Sequence, residues 1–202
     1  MKAAFLDFAT VGSNELDDAP LRELTDEFYV YDNTPANEVV SRIDGVEFVY
    51  VNKIRMTRDI IEGASSLKFI GLVATGVDNV DLEAAREHGV AVCNIRAYCT
   101  NSVVEHVFAM LLSLSHSLGL YHESVRRGDW ANAVNFCMLG YPLRELSAMR
   151  MGIVGYGELG SSVARVAKAF GMNLLISARP GSSSVAVGRT PFSEILDTCD
   201  VI

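Results

Sequence analysis

Apolar and polar positions alternate in blocks along the first ninety-odd residues. Short apolar runs fall at residues 3–8, 28–31, 48–51, 69–74 and 90–93. Runs this short, rich in Val, Ile and Phe and bounded by polar turns, predict buried strands. Between them stand helix-like stretches at 36–43, 59–64 and 82–88, with Asp81 placed to cap the last and Gly89 to end it. Strands separated by helices predict a parallel sheet, because parallel neighbours need crossover connections. Five such units predict an α/β, flavodoxin-like doubly wound domain over residues 1–98.

The pattern changes after Asn94. The stretch 103–118 predicts a long helix with too many apolar residues for a one-sided stripe, hence one buried on nearly all sides. Glu105, His106 and His116 interrupt it and argue for a core or interface helix over a membrane span. A polar stretch at 126–130 and an irregular segment to Leu146 follow. Residues 151–154 then read as a strand, Gly155, Gly157 and Gly160 follow at G-x-G-x-x-G spacing, and 161–170 continues as an amphipathic helix. The first glycine allows the tight turn, the second lets backbone approach a pyrophosphate, and the third lets helix pack on strand. Phosphates would then meet free N–H groups at the positive end of the helix. Strand, triplet and helix in this order predict a nicotinamide or flavin dinucleotide site built from Gly155, Gly157, Glu158, Leu159 and Gly160; the competing reading is a glycine-rich structural turn. A second strand at 174–177, a Gly/Ser loop at 181–184, a short helix at 192–197 and the start of a third strand at 200–202 complete the pattern. Residues 99–202 are thus expected to form the first half of a Rossmann domain. An apolar sheet edge left unpaired there reads as the N-terminal part of a longer polypeptide.

Composition narrows the partners. A net charge of −8 and a pI near 5.0 argue against nucleic acid, which calls for a basic surface. An acidic chain has to build a local positive site to hold an anion. Cys93, Cys99, Cys137 and Cys199 form no C-x-x-C pair and no metal-ligand spacing, so no metal is expected and the thiols read as those of a reduced, cytoplasmic protein. The N-terminal apolar run is too short for a signal peptide.

Six segments together resemble the D-isomer-specific 2-hydroxyacid dehydrogenases, closest to the glycerate dehydrogenase or hydroxypyruvate reductase branch. They are Val51-Asn-Lys53, Ala74-Thr-Gly-Val-Asp-Asn-Val-Asp81, Asn94-Ile-Arg-Ala-Tyr98, Ser102-Val-Val-Glu-His106, Ser124-Val-Arg-Arg-Gly-Asp-Trp130 and the stretch 152–160. The resemblance implies a substrate-binding domain at 1–98 with an NAD(P)-binding domain at 99–202. It implies an oxidoreductase that passes a hydride between NAD(P)H and a small 2-keto or 2-hydroxy acid, such as hydroxypyruvate or glyoxylate. It implies a homodimer joined through residues 100–140. The family's catalytic Arg, Glu and His are expected beyond residue 202, since His88, His106, His116 and His122 all precede the dinucleotide motif; this chain alone is expected to be inactive. The alternative is a non-catalytic dinucleotide-binding regulatory module resembling the C-terminal binding proteins.

Individual positions carry two readings each. Thr75 and Gly76 sit at the carboxyl end of the fourth strand, where Gly76 would let N–H groups converge into a nest for a substrate carboxylate; the other reading is a plain turn with Asp78 or Asp81 capping the next helix. Lys53 either supplies positive charge for an anionic substrate or is a solvated loop lysine. Thr100, by resemblance near the nicotinamide, is otherwise a helix N-cap, as is Ser102 with Glu105 completing a capping box. His106 beside Glu105 reads as a packing or interface residue, since adjacent helical positions do not face each other. At the cofactor's 2′ position, Ala178 stands where an NAD site usually places an acid, and Arg179 follows with Ser182 and Ser183 nearby. Arg179 either accepts a 2′-phosphate or stacks on adenine and faces solvent, and dual use of NAD and NADP is expected.

Overall fold

The structure, a computed structural model, describes residues 1–12, 16–182 and 184–202. The chain divides into two compact units, Met1–Ala97 and Tyr98–Ile202.

In the first unit, strands β1 (Lys2–Phe5), β2 (Glu27–Val30), β3 (Phe48–Val51), β4 (Phe69–Leu72) and β5 (Ala91–Cys93) pair in parallel in the order β2-β1-β3-β4-β5. That is the flavodoxin-like order the alternation of blocks predicts. Helices α1 (Ala19–Glu23), α2 (Val39–Arg42, after a 3-10 turn at Ala36–Glu38), α3 (Arg58–Gly63) and α4 (Leu82–Glu87) carry the crossovers. Ala4, Leu6, Val49, Val51, Ile70 and Leu72 bury against Val39, Ile43, Met56, Ile61 and Ala84. Phe5, Tyr50, Phe28 and Phe69 pack together along the strands, and Gly71 leaves room for them: a Cβ there would come within 2.7 Å of the Tyr50 ring. Asp81 caps α4 by accepting the Ala84 N–H at 2.8 Å. The short α1 escaped the sequence pattern because it buries no residue and so has no apolar stripe.

β1 ends at Phe5, not at residue 8, and a buried carboxylate supplies the reason. Asp7 is only 2% exposed. It accepts the N–H groups of Asn52 at 2.9 Å, Lys53 at 2.6 Å and Ile54 at 3.2 Å, all in the loop after β3. The chain then turns into a 3-10 stretch at Phe8–Val11.

In the second unit, the helix expected at 103–118 is α5 (Thr100–Ser115), and a second helix that the sequence pattern did not show, α6 (Leu118–Arg126), follows at 63° to it, with Ser117 left-handed at φ +53° between them. The expectation of burial on nearly all sides concerns the dimer; within the single chain one face of α5 is covered. Val104, Phe108 and Ser115 are buried on one face, whereas Met110 is 53% and Leu114 77% exposed. Phe108 stacks on Phe170 with ring centroids 5.2 Å apart. Beyond lie β6 (Arg150–Ile153), α7 (Glu158–Ala169), β7 (Asn173–Ile176) and α8 (Phe192–Thr198). β6 and β7 pair in parallel, Thr190 bridges to Ser177, and Val201 bridges to Met151. The spatial order Thr190, β7, β6, Val201 is the third-second-first-fourth order of a Rossmann half. Residues 200–202, expected as the third strand, therefore occupy the fourth position. The third is held by Thr190, a single bridging residue that leaves no apolar run to read.

Asp200 fastens that fourth position. Its carboxylate accepts the Arg150 N–H at 2.9 Å and an Arg144 N–H at 2.6 Å, contacts that hold it below the usual carboxylate range.

Two outcomes follow from these anchors. Asp7→Ala orphans three backbone donors and is expected to cost roughly 2–4 kcal/mol in denaturant unfolding; a loss under about 0.5 kcal/mol would show that water replaces the carboxylate. Because the folded-state value of Asp200 is depressed, its contribution is complete above the ordinary carboxylate range and is lost as pH falls through the folded value. Asp200→Asn should therefore lower the thermal midpoint at neutral pH, with the gap to wild type closing on acidification. A gap that stays constant with pH would refute the charged anchor.

Candidate dinucleotide-binding site

The three glycines of the motif meet three different physical demands. Gly155 adopts φ +91°, the left-handed region that L side chains rarely enter. Gly160 lies where α7 crosses the turn: a Cβ there would fall 2.0 Å from the Gly155 carbonyl oxygen. Gly157 differs from both, since a Cβ there would meet nothing within 4 Å. It precedes α7 as the N-cap, with no side chain capping the helix. The first-turn N–H groups thus have no intrahelical partner, and the space in front of them is open. α7 begins at Glu158, three residues before the sequence pattern starts it, so Glu158, Leu159 and Gly160 form its first turn.

A cavity of about 530 Å³ adjoins this turn, lined by Gly155, Tyr156, Ala178, Arg179, Ser182, Ser184 and Arg189 among others. Gly157, Glu158, Leu159 and Gly160 are not in its wall but border the turn that leads into it. Ala178 is buried, and its N–H donates to the Thr190 carbonyl at 2.7 Å. Arg179 is exposed beside it. Ser183 lies outside the described residues. Arg189 escaped the sequence reading: it follows Gly188 in what reads as loop, and only the Thr190 bridge brings it beside the end of β7. Its guanidinium carbon stands 5.2 Å from the centroid of the Tyr156 ring.

Thr100 is the first residue of α5, and its hydroxyl donates to the Glu158 carboxylate. Neither Thr100 nor Ser102 is the N-cap. Cys99 takes that position without a side-chain bond, so the capping box drawn from Ser102 to Glu105 does not form.

The first unit carries a second cavity, of about 210 Å³, lined by Asn52, Lys53, Arg55, Ala74, Gly76, Asp78 and Asn79. Lys53 and Gly76 are brought together as expected, while Thr75 stands outside the lining with its carbonyl accepting from Asn94 at 2.7 Å. Gly76 is outside the left-handed region, and a Cβ there would lie 2.8 Å from the Asp78 carboxylate, which would have to shift to admit it. Three further residues shape this cavity without an obvious sequence signal. Arg55 adds charge, Asp7 fixes the loop backbone, and the Asn79 amide donates to the carbonyls of Ile54 at 2.8 Å and Asn52 at 3.3 Å. The four histidines line neither cavity. His88 bonds its own helix through Ala84 at 2.9 Å, and His106 and His122 are exposed on α5 and α6. Among the described residues no three His, Cys, Asp or Glu side chains gather as a metal site, and no single helix is long and apolar enough to cross a membrane.

The family profile of the D-isomer specific 2-hydroxyacid dehydrogenase catalytic domain matches residues 8–193. A glycerate dehydrogenase of Methylorubrum extorquens is 40% identical over 177 residues, covering 86% of this chain and 54% of that protein. A hydroxypyruvate reductase of Blautia hydrogenotrophica is 36% identical over 208 residues, covering 100% and 64%. Among solved structures, D-lactate dehydrogenase of Aquifex aeolicus, complexed with NAD and lactic acid, superposes with a TM-score of 0.71 at 25% identity, covering 100% of this chain and 59% of that one. The chain thus spans between half and two thirds of the length of these relatives. With the profile matched across both units, the chain belongs to the D-isomer specific 2-hydroxyacid dehydrogenase family.

Proposed function

We propose that the protein is an oxidoreductase passing a hydride between NAD(P)H and a small 2-keto or 2-hydroxy acid, reducing hydroxypyruvate to D-glycerate or glyoxylate to glycolate. The observation that carries the reading is the open space over Gly157 at the uncapped start of α7, in a chain of this family. The names of the relatives, glycerate dehydrogenase and hydroxypyruvate reductase, support the substrate class.

When bound, the nicotinamide supplies the hydride and the protein supplies position and charge. Gly155, Gly157, Glu158, Leu159 and Gly160 form the turn that receives the pyrophosphate on backbone N–H groups. Thr100 holds the Glu158 carboxylate, which keeps that negative group tied as phosphates arrive. Lys53, Thr75 and Gly76 take the substrate carboxylate, with Arg55 strengthening the positive side of the first-unit cavity against Asp78. Both NAD and NADP serve as cofactor. Ala178 offers no carboxylate to select a 2′-hydroxyl or to repel a 2′-phosphate, and Arg179 adds an attractive charge. By resemblance to the family, the acid–base His, its Glu partner and the carboxylate-clamping Arg are expected outside residues 1–202, a reading with which the placement of the four histidines away from both cavities agrees. The intact protein is a homodimer through residues 100–140, a reading supported by Met110, Leu114, Trp130 and Phe136, whose apolar side chains stand exposed. A cytoplasmic setting agrees with four unpaired cysteines.

Gly157→Val in the intact protein is expected to abolish NADH binding in a fluorescence titration while leaving the thermal midpoint within about 2 °C, since a Cβ there meets no protein atom within 4 Å. Gly160→Ala should instead lower the midpoint, because its methyl group strikes the Gly155 carbonyl. Undiminished NADH affinity in the valine variant would remove the motif from the site.

Turnover tests the acid–base assignment. With hydroxypyruvate and NADH, His88→Asn and His106→Asn are each expected to keep kcat within a factor of about three. Collapse of kcat in either would return the proton donor to this chain. An intact protein that binds cofactor yet reduces neither hydroxypyruvate nor glyoxylate would favour the regulatory reading.

A further inference from the structure

We infer that Arg189 is a second reader of the cofactor's 2′ position, forming with Arg179 a two-arginine seat for a ribose 2′-phosphate. The inference rests on the dinucleotide reading of the same cavity. Arg179 and Arg189 approach it from different segments. Arg179 follows buried Ala178 at the end of β7 and opens the turn closed by the Ser182 N–H on its carbonyl at 3.1 Å. Arg189 precedes Thr190, whose N–H donates to Ile176 at 2.8 Å and whose carbonyl accepts from Ala178 at 2.7 Å. Those two bonds fix the backbone beside Arg189 against the very strand end that presents Arg179.

The side chain of Arg189 is also placed before any ligand arrives. Its guanidinium lies over the ring of Tyr156, between Gly155 and Gly157, so the residue that borders the phosphate turn also holds the arginine. A guanidinium held this way loses less freedom on binding than a free one.

Donor and acceptor chemistry selects the ligand. A ribose 2′-hydroxyl is served by an acceptor, the carboxylate that Ala178 lacks, whereas guanidinium groups carry only donors. The cavity wall holds two guanidinium groups and no carboxylate, in a chain of net charge −8. Among the described residues neither arginine is in an ion pair. Two unneutralised guanidinium groups suit a phosphate dianion, and the hydroxyls of Ser182 and Ser184 share the wall with them.

The test is a fluorescence titration of the intact protein with NADPH and with NADH. Arg189→Ala should weaken NADPH about ten- to hundred-fold, as expected for a charge-assisted contact, and leave NADH within about two-fold. Arg189→Lys should fall between, because the point charge remains while the planar fork is lost. The wild-type advantage for NADPH should shrink with added salt. Unchanged NADPH affinity in Arg189→Ala would overturn this inference and leave the dinucleotide site standing. Equal weakening of NADPH and NADH would also overturn it, assigning Arg189 to the turn and not to the phosphate. A wild type that binds neither cofactor would refute the dinucleotide reading, and this inference with it.

Discussion

In the second unit a helix crosses close against a carbonyl. α7 passes so near the turn after β6 that the Gly155 oxygen occupies the place where residue 160 would carry a side chain. Everything else about the site depends on that distance. It sets where the first turn of α7 begins, and so where its free N–H groups point. It leaves the turn short enough that Gly155 has to be left-handed, and it places Tyr156 at the edge of the cavity where Arg189 can lie over it. Within one nine-residue stretch, then, one glycine is required by hand, one by contact, and one by nothing in the protein itself. A glycine with open space at its Cβ, at the mouth of a helix with no capping side chain, leaves room for the ligand proposed above.

The first unit reaches a comparable result by another route. Its site lies where β3 and β4 end, and parallel strands leave loop backbone there without ladder partners. A buried acid, Asp7, gathers the donors of residues 52–54, and Asn79 ties down two of the loop's carbonyls. Lys53 is thus presented from a fixed backbone, and among the described residues its side chain is in no ion pair. The electrostatics favour an anion in both cavities. Lys53 and Arg55 outnumber Asp78 in one, and Arg179 and Arg189 stand unopposed by any acid in the other. An acidic chain with a local excess of positive charge in two cavities repels anions generally and favours them locally.

How much of this is legible from sequence follows from how local each cause is. The strands of the first unit were readable because burial on both faces of a parallel sheet leaves apolar runs. Asp81 was readable as a cap because its partner, Ala84, is three residues away. The glycine motif was readable because its demands fall within one turn. What escaped was non-local or lacked pattern. The break falls at Ser117, a non-glycine residue in the left-handed region, and Gly119 in the next turn speaks against a helix, so α6 went unread beyond the end of α5. Asp7 looks like the end of an apolar run until β3 comes alongside, more than forty residues later. Thr190 joins the sheet as a single residue, which no periodicity can show, and Arg189 goes unnoticed with it.

α5 poses a different question. Its composition called for burial all round, yet in the single chain only one stripe is covered, facing α7 and the Phe170 ring. The apolar residues on its other side, Met110 and Leu114, are too exposed to stabilise this fold, and the exposed Trp130, Phe136 and Leu139 extend the same character along the chain. Hydrophobic pattern measures what a segment buries in its working state, including anything buried against another molecule. Where pattern and the covered surface of one chain disagree, the disagreement locates surface that is unfinished in that chain. For residues 100–140 that surface carries the physical argument behind the proposed dimer: a helix that satisfies its fold with one face and keeps a second apolar face is stable alone only at the cost of solvating that second face.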